Sequence, residues 1–405
     1  MRVFYFTEQP YPAAWDSAKE SLRITLPSEN CDPRLMADLY ERYIDEWMLA
    51  DSLGFDIMVN EHHATTTCAS ASAAVMMSIL ARVTKDARLL TLGYPIANRI
   101  DPVRAAEELA MIDVISRGRL EMGFVRGVPY EVPVATRSAV GMSERFWEAH
   151  DLIIKALATR TGPFNWNGRH FQQRNVNIWP PAYQTPVPPV WISGRSPGNI
   201  REIAEKGHVF ATFLAGAATA ELFDIYREAY GRAGHGEAGP DRLAYLGLVA
   251  VGETREKGLE RAAQLARYLE TSAQVSPHFR NPPGYMPAEI TARTFRQRMI
   301  GIMKGKSGKI VDAHNASLEE MIDAHLLFAG SPDDVYEQIC EFDDNVGGFG
   351  NLLMMGHAAD MGHDSVVENI GLFGKEVLPR LKARSAARGV RVSAAGQPPL
   401  VEAHA

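Results

Sequence analysis

Cysteine is scarce in this chain: Cys31, Cys68 and Cys340 are the three in 405 residues. So few and so scattered, they give neither a disulfide framework nor a CxxC zinc site. No apolar run reaches the ~18 residues that span a bilayer. Basic charge is not in excess either, since 42 Lys and Arg against 49 Asp and Glu leave a formal charge of −7. With no long basic run, a nucleic-acid partner is not expected. The opening MRVFYFTEQP has no charged region followed by an apolar stretch, so a signal peptide is not expected. HExxH, HxH and HxxxH spacings are missing, which argues against a metal site. What is present is ordinary for a globular chain, 46% hydrophobic and 22% charged residues. The expectation is a soluble, cytoplasmic protein with a large core.

The pattern of apolar residues then alternates between two kinds of segment. Short β-rich runs occur at Arg2 to Phe6, Phe55 to Val59, Arg88 to Gly93, Arg119 to Val125, Val190 to Ser193, His208 to Leu214, Leu243 to Val251 and Asn351 to Met355. Such runs read as buried parallel strands. Helical periodicity lies between them. Leu35, Leu39, Ile44, Trp47 and Met48 mark one helix, with Gly54 as its C-terminal stop. Asp101-Pro102 pairs a capping Asp with a Pro at the first helical position, and Ser143 is expected to cap the helix running through Arg160. Phe146 and Trp147 read as packing within that helix. Thr161 to Pro189 holds six Pro and predicts an excursion with a small hairpin.

Eight strand–helix alternations predict a parallel α/β architecture, a (β/α)₈ TIM barrel or a doubly wound open sheet. In the barrel, residues 1–383 form a single domain, 273–348 a lid insertion between strands seven and eight, and 384–405 a disordered tail. Reacting groups in barrels sit at the C-terminal ends of strands. That places Glu61, His62, Asn98, Arg126 and Ser196 around one mouth.

Three familiar patterns fail on physical grounds. Gly234 to Gly239 fits GxGxxG but precedes a strand rather than a helix, the reverse of what a pyrophosphate site needs. Gly305-Lys306-Ser307 lacks the leading glycine of a P-loop, because Ile300 stands there. Gly194-Arg195-Ser196-Pro197-Gly198 matches the GxSxG elbow of serine hydrolases. The residue after that serine must donate an N–H to an oxyanion, and Pro197 has none.

The same five residues suit an anion. Ser196 and Pro197 start a helix, Gly194 and Gly198 allow close backbone approach, and Arg195 with Arg126 adds charge. Simple helix capping is the alternative. Of His62 and His63, adjacent on an extended chain, one faces the barrel axis. It suits substrate binding or proton transfer, unless its ring is satisfied by neighbouring backbone.

Taken in order, several blocks resemble the bacterial luciferase-like flavin-dependent monooxygenase family. They are Asn60-Glu61-His62-His63, Asp101 to Glu107, Met111 to Arg119, Gly123 to Gly127, Glu144 to Glu148 and Val190 to Gly198. The resemblance runs from residue 1 to about 380. It implies a barrel that binds reduced FMN at its mouth, with Arg126, Gly194, Arg195 and Ser196 at the phosphate, Asn98 near the ring system and His62 near its reactive face. It further implies oxygenation of a small organic substrate, heteroaromatic or anionic, with O₂ through a C4a-(hydro)peroxyflavin. A separate flavin reductase and a homodimer or higher homo-oligomer are implied as well. Val125 stands where luciferases carry Cys, so light emission is not expected. The loop with Tyr130 departs in length, and Tyr130 receives no role.

The segment Gln274 to Tyr285, rich in Pro and aromatics, suits a mobile cover, with a disordered linker as the alternative. His278 and Arg280 on it are candidate substrate contacts. An F420-dependent dehydrogenase of the same fold and a non-catalytic flavin-binding protein remain the rival readings.

Overall fold

The computed structural model describes residues 1–18, 21–135, 137–286, 289, 302–312 and 315–388. Eight parallel strands close on themselves: β1 (Arg2–Thr7), β2 (Asp56–Met58), β3 (Leu89–Leu90), β4 (Leu120–Val125), β5 (Val190–Ser193), β6 (Val209–Phe213), β7 (Leu243–Val251) and β8 (Asn351–His357). Closure is made by β8 pairing with both β7 and β1, with Leu352 opposite Tyr245 on one side and Val3 on the other. The fold is therefore the (β/α)₈ barrel and not the open sheet.

Local chemistry sets the helices that flank it. α1 (Pro33–Ser52) and α3 (Pro102–Ile115) each start with Pro behind an Asp whose carboxylate accepts a backbone N–H, from Arg34 at 2.9 Å and Val103 at 3.0 Å. Gly54, at φ +83°, carries the left-handed turn that ends α1. α2 spans Ala73–Val83. α4 (Met142–Ala158) departs from expectation: its cap is Gly141, at φ +69°, and Ser143 lies one residue inside the helix. The expected hairpin is present, Phe164–Asn167 paired antiparallel with Gln172–Val176.

Strand residues alternate between the barrel interior and the helices. On β1, Tyr5 faces outward to Phe55 and Glu46 of α1, whereas Arg2, Phe4 and Phe6 stack up the inside. The lowest inner layer is charged. Buried Glu121 accepts from Arg2 at 2.8 Å, Arg88 at 2.9 Å and the Trp191 indole at 2.7 Å, and Arg2 also pairs with Asp56. Above it Phe4 meets Trp191 from the opposite side, edge to face, with ring centres 5.2 Å apart. The lower barrel is thus plugged, and open volume is left at the C-terminal mouth.

The stretch 273–348 is only partly cover. Leu327–Gly330 is a strand that runs parallel to the end of β7, and Pro332–Asn345 is a helix. The cover is the earlier part. After β7, α7 (Arg255–Ser272) leads into a segment that crosses the mouth, where Leu22 donates its N–H to the Gln274 carbonyl and Val275 bridges to Arg23. The last helix, Leu378–Ala387, enters the stretch expected as a tail, and 389–405 lies outside the described residues. No helix among the described residues is long and apolar enough to cross a membrane.

Burial pushes the Glu121 carboxyl up, but Arg2 and Arg88 outweigh it and hold it below its ordinary 4.5. A depressed folded value adds stability above the unfolded one, and that stability is lost as pH falls through the folded value. Glu121→Gln should cost about 3–5 kcal/mol in urea unfolding at pH 7, because two guanidiniums lose their buried partner. The gap between variant and wild type should narrow below pH 4; a cost under ~1 kcal/mol at pH 7 would show the layer to be inessential.

Candidate functional site

Residues from seven strands, Phe6, Met58, Val125, Ser193, Phe213, Leu246 and Met355, floor a cavity of about 1220 Å³. Loops that follow the strands build its walls. His62, Arg126, Gly194, Arg195 and Ser196 all line it, so five of the residues singled out by sequence share one space.

On the β4–β5 side, Arg126 stands with its guanidinium carbon 4.3 Å from the centre of the Tyr285 ring and Nη1 donating to Ser143 Oγ at 3.3 Å. Arg195 donates to the Phe213 and Leu214 carbonyls at the end of β6, and burial pulls its pKa below the usual arginine value. No carboxylate of the described residues pairs with either guanidinium. Ser196 Oγ accepts the Asn199 N–H at 3.4 Å and caps α5 (Pro197–Glu205). A Cβ on Gly194 would lie 2.4 Å from the Asn199 side-chain nitrogen, so the glycine leaves room for that side chain. No histidine is bonded to Ser196 among the described residues, which removes the hydrolase reading.

On the β2 side the two histidines part as expected. His62 Nδ1 bonds Glu131 Oε1 at 2.8 Å, and the same carboxylate oxygen accepts the His63 N–H at 3.1 Å. Burial raises Glu131, but His62 and these hydrogen bonds bring it below the ordinary carboxylate value. His63 turns away from the cavity to Glu61, at 3.3 Å. Glu61 is a strut as well as wall: it takes both its bonds to Arg99, at 2.7 and 2.8 Å, and accepts the Ala73 N–H that begins α2.

Asn98 lies at the edge of this arrangement. It is buried, its amide has no hydrogen-bond partner among the described residues, and it sits behind Gly127, where a Cβ would come within 2.8 Å of it. His278 and Arg280 lie elsewhere. Both are exposed, neither lines the cavity, and Arg280 donates to the Val275 carbonyl at 3.2 Å. Phe146 and Trp147, read from sequence as packing alone, also form cavity wall.

Sequence reasoning missed Glu131, Tyr285, Glu8 and Arg23. Glu131 and Tyr285 reach the site through loops and carry no spacing signal. Their only sequence cue is an acid or aromatic residue beside Pro and Gly, as in Val128-Pro129-Tyr130-Glu131 and Pro283-Gly284-Tyr285.

The sequence profile of the luciferase-like monooxygenases matches residues 24–347. The chain belongs to this family. The oxygenase component of a flavin-dependent trigonelline monooxygenase from Acinetobacter baylyi is 31% identical over 181 residues, covering 44% of this chain and 49% of that protein. An uncharacterized Sinorhizobium fredii protein, y4wF, is 30% identical over 227 residues, 55% of this chain and 66% of its own. The chain thus spans about half to two thirds of the length of these two curated relatives. Among solved folds, the FMN-bound oxygenating constituent of 3,6-diketocamphane monooxygenase from Pseudomonas putida superposes with a TM-score of 0.70 at 20% identity, covering 94% of this chain and 98% of that one. An F420-dependent secondary alcohol dehydrogenase gives 0.62 at 17%, with coverages of 84% and 95%.

In this luciferase-like chain the Glu61 hydrogen bond raises the His63 pKa above 6.5, against the opposing effect of burial. A raised folded value stabilises fully below the unfolded pKa and fades as pH rises through the folded one. His63→Gln should therefore lower Tm most near pH 5.5 and least at pH 9. A Tm difference that grows with pH would contradict the pairing.

Proposed function

We propose that the chain is the oxygenase of a two-component monooxygenase, binding reduced FMN delivered by a separate reductase and using O₂ to oxygenate a small organic molecule. The observation that carries this is one cavity in which Arg126, unpaired, and the Ser196 start of α5 share space with the His62–Glu131 pair. A flavin phosphate fits the first wall: two guanidiniums without carboxylates, the hydroxyls of Ser143 and Ser196, and a helix N-terminus. The unpartnered Asn98 amide, buried behind Gly127, would be available to a ring system on that side. When bound, reduced FMN supplies the activation of O₂.

The chain's own residues position and protect. Arg126, Arg195 and Ser196 hold the phosphate, with Gly194 giving close backbone approach. Glu131 fixes His62 with Nδ1–H as donor, which leaves Nε2 of a cavity-lining ring to accept or return a proton. Tyr285 bonds the Gly127 carbonyl at 2.9 Å and lies over Arg126, so the α7 segment closes that side against water.

Exposed Val75 and Ile79 on α2 and Met111 and Val114 on α3, two adjacent helices, support pairing of two copies through this face. Met111→Glu should shift sedimentation toward the monomer; an unchanged profile removes this face from the interface.

Arg126→Ala should weaken FMN binding ~10–100-fold, as loss of a charge-assisted contact worth ~1.5–3 kcal/mol. His62→Ala should keep FMN affinity within twofold while turnover falls at least tenfold. Retention of reduced F420 in preference to FMN on a desalting column would overturn the assignment.

A further inference from the structure

The cavity has a second cationic wall, built from the loop that follows β1. Strand order puts β1 across from β5, and Glu8, Asn60 and Arg23 line the cavity beyond β1 and β2. Arg23 is only 2% exposed. It is clamped from both sides, its backbone bridging to Thr65 and to Val275 of the covering segment. Nη1 donates to the Tyr130 hydroxyl at 2.6 Å, and the guanidinium carbon lies 4.8 Å from the Tyr130 ring centre. Nε is buried without a partner, and Nη2 has none among the described residues.

A buried, permanently charged group with most of its donors unused is costly unless something completes it. Glu8 acts on it only through space: no carboxylate of the described residues lies within ion-pair distance of Arg23, and Glu8 is engaged by the Asn60 amide at 3.2 Å. With Nη1 occupied by Tyr130, the Nε–Nη2 edge remains, which is the edge that takes a carboxylate through two parallel bonds. Tyr130 and Tyr268 border it with aromatic surface.

We infer that Arg23 is the specificity-determining residue of a substrate subsite, receiving the carboxylate of a small planar organic acid whose ring lies toward Tyr130 and Tyr268. This rests on the proposed monooxygenase reading for what becomes of the acid. The subsite is tied to His62 by one turn: in Pro129–Glu131, Tyr130 holds Arg23 and the next residue, Glu131, holds His62. An acid anchored on Arg23 is thereby set in fixed relation to His62. The role expected of Arg280 in anion recognition passes to Arg23, which is buried in the cavity wall.

The test uses full-length protein, with and without FMN, and two probe pairs: benzoate against benzamide, and nicotinate against nicotinamide. Binding is read by saturation-transfer NMR and tryptophan fluorescence. Wild type should bind each acid at least tenfold tighter than its amide. Arg23→Gln should abolish that preference while FMN affinity stays within twofold, and Arg23→Lys should retain part of it. If Arg23→Gln fails to fold, the lysine variant and the wild-type ratio still decide. Equal binding of acid and amide by wild type, no binding of either acid, or a preference that survives in Arg23→Gln each overturns the inference. Loss of FMN binding with the acid preference intact would instead sink the flavin reading and leave the subsite standing.

Discussion

Three guanidiniums, Arg23, Arg126 and Arg195, line one cavity with no carboxylate paired to any of them among the described residues. The four acids that line the same cavity are already committed: Glu61 to Arg99, Glu131 to His62, Glu8 to Asn60 and Glu144 to Arg169. In the lower barrel buried charge is paired closely, Glu121 with Arg2 and Arg88. On the proposed reading these guanidiniums are where anions would bind, a flavin phosphate at Arg126 and Arg195 and the carboxylate of an acid at Arg23.

The covering segment joins the two ends. Val275 bridges Arg23, and ten residues later Tyr285 lies on Arg126 and bonds Gly127. Movement of this segment would loosen both walls at once. On the proposed reading, closure of the cavity would assemble both anion sites together.

Much of this arrangement is readable in the residues themselves. Asp-Pro and Ser-Pro starts, Gly54 and the spacing of apolar runs mark elements through local physics, so the barrel and the Ser196 helix start are legible. The parting of His62 from His63 matches the alternation of neighbours on an extended chain, although both lie in the loop after β2. Ser143 shows the limit: a serine before a helical run reads as a cap, but the left-handed Gly141 took that place and freed Ser143 to meet Arg126. Glu131, Arg23 and Tyr285 were illegible because loops of irregular geometry bring them in from distant sequence. His278 and Arg280 erred for the complementary reason, since composition marks a covering segment but not which of its side chains turn inward. The Leu327–Gly330 strand was hidden by its place inside a stretch that reads as an insertion, since β5, also four residues long, was legible.

The central claim is that Arg126, Arg195 and the start of α5 grip the phosphate of a flavin. The most direct measurement compares the affinities of reduced FMN and reduced riboflavin, which differ in that group alone, by anaerobic fluorescence titration. The account predicts FMN at least tenfold tighter, about 1.4 kcal/mol or more, with the advantage shrinking as salt is raised. Equal affinities, or an advantage indifferent to salt, would contradict it.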